Sequence, residues 1–234
     1  MAPRLRIAVP LLAACALVLT ACSSTASDPE ASSSGGVSLI TSGTLTVCSN
    51  PPYEPFEYKD GDTVVGLDID IVQQVADDLG VELAVVETGF DGIQSGAALD
   101  ANTCDVVASG ITITDEREGK LDFSDPYFDA NQGLLAPAGS GLDSLEALAG
   151  KTIGVQQATT GETFATDNGL TTVQFEDTGL QVQALKNGQV DAIINDIAVL
   201  GPYADDTFEV AAEFPTGEQY GLGVKTGNTA LLEA

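Results

Sequence analysis

The chain has 234 residues, no histidine, and 35 acidic against 8 basic residues, for a formal charge of −27. Such a balance repels nucleic acid, anionic membrane surfaces and polyphosphate substrates. The lack of histidine excludes Ser-His-Asp and Cys-His catalysis and His-ligated zinc, and no glycine-rich phosphate cradle is present.

Arg4 and Arg6, an apolar run over 7–19 and the small residues before Cys22 describe a secretory signal over 1–21, not a membrane span. Residues 22–42, rich in Ser, Ala, Thr and Gly, read as a flexible tether that cannot bury a core. At about 5–6 Å × √n its reach is roughly 25 Å. The remainder is long enough for one domain or two small ones.

Residues 44–48 form a first strand, and 49–56 a loop stiffened by three prolines that presents Tyr53. Residues 57–65 read as a hairpin turning at 59–62, without the ligand spacing of a calcium loop. Ile71, Val72, Val75 and Leu79 mark a helix over 68–79 that stops at Gly80. Asp68 and Asp70 fit as acids at its start. A strand over 82–87 follows, and Phe90 opens the next helix.

The apolar residues 105–108 read as a buried strand that runs into Ser109-Gly110-Ile111-Thr112-Ile113-Thr114-Asp115-Glu116-Arg117. Thr114 is placed as an N-cap, with Asp115 and Glu116 in the first turn. Arg117 is the only arginine outside the leader. Hydroxyls, free backbone N–H groups and a guanidinium at the carboxyl end of a parallel strand suit a small carboxylate. The alternative is that Arg117 pairs with a neighbouring surface acid.

Residues 130–136 read as a strand leaving the first unit, with a loop over 137–141. A second unit follows: strand 152–155, a helix from about Thr160, strand 172–175, helix 179–187 and strand 191–195. It echoes the first, because Phe90, a helix and Asp105 before an apolar strand match Phe175, a helix and Asp191 before another. One such strand leads to Arg117 and the other to Asp196, so two lobes would present opposite charges across a cleft, as an α-amino acid requires. Asp196 would otherwise cap a helix over 197–203. Residues 220–225 read as the strand returning to the first unit.

For Cys48 and Cys104, export favours a bridge. A register that aligns Ser49 with Ser109 puts them about four residues apart, roughly 13 Å at about 3.3 Å per residue, beyond the ~7 Å limit. Two thiols are therefore expected.

The stretch 109–117, with Asp122-Phe123-Ser124-Asp125-Pro126-Tyr127, resembles the signature of the bacterial extracellular solute-binding proteins, family 3, which feed polar amino acids to ABC importers. The likeness runs from about Gly43 to the end, through Pro52-Tyr53-Glu54-Pro55-Phe56, Gly66-Leu67-Asp68-Ile69-Asp70, Gly150-Lys151-Thr152-Ile153-Gly154-Val155 and Val190-Asp191-Ala192-Ile193-Ile194-Asn195-Asp196. It implies an α/β fold of the two-lobed periplasmic-binding-protein type II, with two hinge crossings. Lobe 1 would comprise 43–131 and 221–234, and lobe 2 132–220. Cleavage before Cys22 and lipid on its sulfur are implied by the lipobox resemblance. The expected partners are an amino acid and ABC permease subunits, with the protein a monomer, touching membrane only through its lipid, and needing no cofactor. Family members normally continue with one or two more helices, so a truncated fragment is expected.

Carried over by residue, the resemblance makes Arg117 the grip on the α-carboxylate, helped by the Thr112 N–H. Asp196, the Gly110 carbonyl and the Thr112 hydroxyl would hold the ammonium, and Tyr53 and Phe90 would flank the side chain. Asn50, Gln156, Thr160 and Asn195 match positions that tune specificity or complete the pocket, and Ser109 is a further candidate. No second arginine outside the leader is present to pair a side-chain carboxylate, and Asn50 suits an amide, so a glutamine-like ligand is expected first and a basic one second. The same fold also resembles a few secreted cyclohexadienyl-dehydratase-like enzymes, which need a poised carboxylic acid, for which Glu54 and Glu162 are the candidates. A third alternative is a receptor ectodomain, against which the lipobox and the lack of a span argue.

Overall fold

The computed structural model describes Ser33, Ser34 and residues 36–234. The expected signal sequence, Cys22 and most of the expected tether lie outside the described residues.

Two five-stranded sheets repeat one design. In the first, Thr44–Ser49 lies between Glu82–Glu87 and Val106–Val107, parallel to both, and Gly223–Lys225 and Leu121–Phe123 complete it in antiparallel fashion. In the second, Thr152–Gln156 lies between Thr171–Phe175 and Ala192–Asp196, again parallel to both, with Phe128–Pro137 and Phe208–Tyr220 antiparallel beyond. Every residue of Ala192–Asp196 is buried, as expected for an inner strand with both faces covered. The echo in the sequence has a structural basis. Asp105 accepts from the Thr46 N–H at 2.9 Å and Asp191 from the Thr152 N–H at 2.8 Å, and each returns its own N–H to the same residue's carbonyl.

The helix Leu67–Leu79 ends where Gly80 turns left-handed at φ 68°, and its buried residues Val72 and Ala76 pack on Leu45, Val47 and Val106. Cys48, the next outward step along the first strand, faces the opposite side, where it meets Phe90, Ile93, Leu99 and Ile111. The first sheet is thus covered on both faces. Val37 and Leu39 also join the Val72 cluster, so the end of the stretch read as a coreless tether does enter the core.

Two further expectations are corrected. The return between sheets is not a strand over 220–225. The long strand Phe208–Tyr220 pairs with Phe128–Pro137, and the short strand Gly223–Lys225 follows it in the first sheet. The long strand contains Pro215 and Gly217, and a register shift between Phe214 and Glu218 accommodates both. The second correction concerns the cysteines, which form a disulfide with Cα atoms 5.6 Å apart. The register, Cys48 opposite Val107, is close to that expected. However, extended chain begins only at Val106, and bends at Thr103 and Asp105 carry Cys104 back onto Cys48.

A bridge across 56 residues of sequence restricts the unfolded chain by about 4 kcal/mol. Reductant, or the double substitution C48A/C104A, is expected to lower the melting temperature by on the order of 10 °C. An unchanged Tm in a thermal unfolding experiment would show that the bridge adds nothing.

Candidate functional site

The cleft between the sheets is lined by Asn50, Tyr53, Phe90, Ser109, Gly110, Thr112 and Arg117 from one side and Gln156, Thr159, Thr160 and Asp196 from the other, around a cavity of about 10 Å³. That is room for about one water, because side chains of the two walls meet directly across it. Ten of the eleven residues expected at a ligand site are among them. Asn195 is the exception. It stands behind Asp196, donating to Thr178 and Gln181 and accepting the Asp196 N–H at 2.8 Å. Thr159 was missed, although its place ahead of the helix Thr160–Asp167 is an N-cap signal; its hydroxyl accepts the Glu162 N–H.

Arg117 sits in the one-turn helix Asp115–Glu118, begun by Thr114, whose hydroxyl accepts the Arg117 N–H at 3.2 Å. Its side chain points inward and the residue is only 4 % exposed. One Nη donates to the Thr112 carbonyl at 2.8 Å and the other reaches across the cleft to the Ala158 carbonyl at 3.1 Å. The Phe90 ring lies beneath, 5.4 Å from Cζ. Among the described residues every ion pair uses a lysine, so Arg117 has no carboxylate partner and the surface-pair alternative is set aside. Burial lowers its pKa, opposed chiefly by the fields of Asp196 and Glu218.

Asp196 ends its strand 5 % exposed. It makes no side-chain cap for the helix Ile197–Leu200. Its Oδ2 accepts from the Tyr53 hydroxyl at 2.6 Å and from the Tyr220 hydroxyl, and its Oδ1 from the Gln132 amide. Burial pushes its pKa up to about 6, against the lowering effect of the two tyrosine bonds. Tyr53 also lies across Gly110, whose φ is 48°; a Cβ there would come within 2.5 Å of the ring, so only glycine fits.

The polar remainder of the lining is neutral. Gln156 donates to the Asn50 side-chain carbonyl at 2.9 Å across the cleft, and Asn50 donates to the Thr88 carbonyl. The Thr112 and Thr160 hydroxyls are 3.4 Å apart. Lys120 faces away, paired with Glu116 at 2.8 Å. Behind the wall lie two buried acids that sequence reasoning passed over. Glu57 accepts from Ser109 at 2.6 Å, and Asp68 accepts from the Gly110 N–H at 2.8 Å and the Tyr127 hydroxyl at 2.6 Å. Asp68 is therefore more than an acid at a helix start, whereas Asp70 is exposed. Burial raises Asp68 to about 6 and Glu57 well above the carboxylate range.

Two lobes joined by two strands thus place a buried cation from one opposite a buried anion from the other. Residues 45–233 match the bacterial extracellular solute-binding proteins, family 3, and the chain belongs to that family. It is 37% identical over 197 residues to the arginine-binding extracellular protein ArtP of Bacillus subtilis, covering 82% of this chain and 73% of that one. An ancestral arginine-binding protein bound to glutamine superposes with a TM-score of 0.77 at 37% identity, over 82% of this chain and 88% of that one. The ancestral amino-acid-binding protein AncCDT-1, a precursor of cyclohexadienyl dehydratase, superposes with a TM-score of 0.74 at 35% identity, over 82% and 85%.

Asp68 and Asp196 have folded-state pKa values near 6, above the unfolded carboxylate value of about 3.9. The folded chain therefore binds more protons than the unfolded one in that window, and the contribution of these groups is lost as pH rises through about 6. Without ligand, the urea midpoint should rise between about pH 7.5 and about pH 5, and the rise should shrink in D196N. Equal slopes in parent and D196N would remove Asp196 from the account.

Proposed function

We propose that the chain captures a polar α-amino acid between its lobes and delivers it to an ABC transporter permease, held to the outer face of the cell membrane by lipid on Cys22. The observation that carries this reading is Arg117, a buried guanidinium without an acidic partner, facing a cleft whose other wall ends in Asp196. An amino acid supplies a carboxylate for the first and an ammonium for the second. Thr112 and Gly110 line the same cleft and would share both ends, and Tyr53 and Phe90 would offer rings to the side chain.

Beyond that pair the lining holds no charged residue, and its side-chain end is the Asn50–Gln156 amide pair. Amides donate and accept, so they suit a side-chain amide, and a glutamine-like ligand is the first assignment. A basic ligand is second, favoured by the likeness to ArtP and by the acidity of the chain. The ancestral arginine-binding protein bound to glutamine shows that one such protein holds a ligand of each kind. Neither acid expected for the dehydratase reading lines the cleft: Glu54 is exposed, and Glu162 accepts from the Ala158 N–H at 2.7 Å and from Gln174.

A thermal-shift panel of the common amino acids should show stabilisation by glutamine or arginine and little by glutamate, which brings a second carboxylate with no second cation to meet it. Glutamate ahead of both would refute the assignment. In titration calorimetry Arg117→Lys should weaken binding at least about tenfold, because an ammonium cannot replace the two-pronged fork. Undiminished affinity would remove Arg117 as the carboxylate grip.

A further inference from the structure

Gln132 occupies a fully buried position on the strand Phe128–Pro137, where an apolar side chain would be the ordinary choice. It does not line the cleft. Its amide nitrogen donates to Asp196 Oδ1 and, at 2.8 Å, to Glu218 Oε2, with the Thr160 hydroxyl at 3.4 Å. Two N–H groups thus meet two carboxylates. The amide oxygen, by contrast, is buried with no hydrogen-bond partner. An amide that leaves its acceptor unsatisfied while spending both donors on acids is placed for its donors.

Glu218 is brought there by a built feature. The strand Phe208–Tyr220 shifts register between Phe214 and Glu218, and the Asn131 side-chain carbonyl accepts the N–H groups of Thr216 and Gly217, both at 3.1 Å. The Thr216 hydroxyl then donates to Glu218 Oε2 at 2.7 Å. The bulge turns the Glu218 carboxylate back toward the partner strand, as bulges commonly re-aim a side chain beside a site.

We propose that Gln132 and Glu218 are positioning residues for Asp196: the amide holds its carboxylate in place in ionised form, and the second acid opposes that ionisation. The proposal rests on the reading of Asp196 as the ammonium anchor. The groups facing Asp196 are the Tyr53 hydroxyl from the proline-rich loop, the Tyr220 hydroxyl and Glu218 from the long strand, Gln132 from its partner strand, and Arg117 across the cleft. Of these, the amide and the two hydroxyls favour the carboxylate as donors, and Glu218 disfavours it by like charge. The two residues therefore act in opposite senses on one group, and both lie on the pair of strands that join the lobes.

The test is calorimetric titration with L-glutamine and L-arginine across a pH series for the parent, Gln132→Met, Glu218→Gln and Asp196→Asn. Affinity should fall on acidification as Asp196 takes up a proton. Gln132→Met should weaken binding roughly tenfold at neutral pH and move the fall to higher pH. Glu218→Gln, at a half-exposed position that tolerates exchange, should move it to lower pH. Shifts of opposite sign support the proposal, whereas loss of fold alone would not separate them by sign. If Asp196→Asn abolishes binding while both other variants keep the parent's pH profile, the proposal falls and the anchor reading stands. If Asp196→Asn binds like the parent, both fall.

Discussion

A guanidinium removed from water without an acid beside it is the constraint on which the rest depends. The penalty for burying an ion is several kcal/mol, and hydrogen bonds to neutral carbonyls offset only part of it. Arg117 is held by the carbonyls of Thr112 and Ala158 and by the face of Phe90, one contribution from each direction the cleft allows. None of them neutralises it. The opposite problem is set by Asp196, whose carboxylate accepts from three donors while burial raises its pKa to about 6. On the proposed reading a zwitterion would relieve both with one molecule, and affinity for the amino-acid backbone would reside in these two side chains.

The fold holds those two charges on separate supports. Arg117 follows a buried strand and Asp196 ends one, in sheets of the same design, and Asp105 and Asp191 pin corresponding points of the two sheets. The strands Phe128–Pro137 and Phe208–Tyr220 tie the sheets together, and Tyr220, fully buried, reaches from the second of them to Asp196. Gly110 completes the geometry by letting Tyr53 lie directly on the backbone of the loop that leads to Arg117.

Much of this was legible in the residues. Helix and strand limits from Thr44 to Glu87 and from Thr152 to Asp196 followed from apolar spacing and from Gly80 as a stop. The charge pair was suggested by a lone arginine and an echoed strand, but only the family resemblance set Asp196 above a helix cap. What the sequence concealed has physical reasons. The disulfide depends on bends at Thr103 and Asp105, which no periodicity records. The long strand carries Pro215 and Gly217, which only its bulge makes tolerable. Glu57, Asp68 and Gln132 are polar residues in chain segments with other plausible roles, and only burial singles them out.

The central claim is that the site reads the two ends of an α-amino acid through Arg117 and Asp196. Calorimetric titration of the parent protein with L-glutamine and L-arginine, beside analogues of each lacking the α-carboxylate or the α-amino group, tests it most directly. The account predicts measurable binding of at least one intact amino acid and a loss of at least about tenfold for each truncated analogue. An analogue without its carboxylate that binds as tightly as the intact molecule would contradict it.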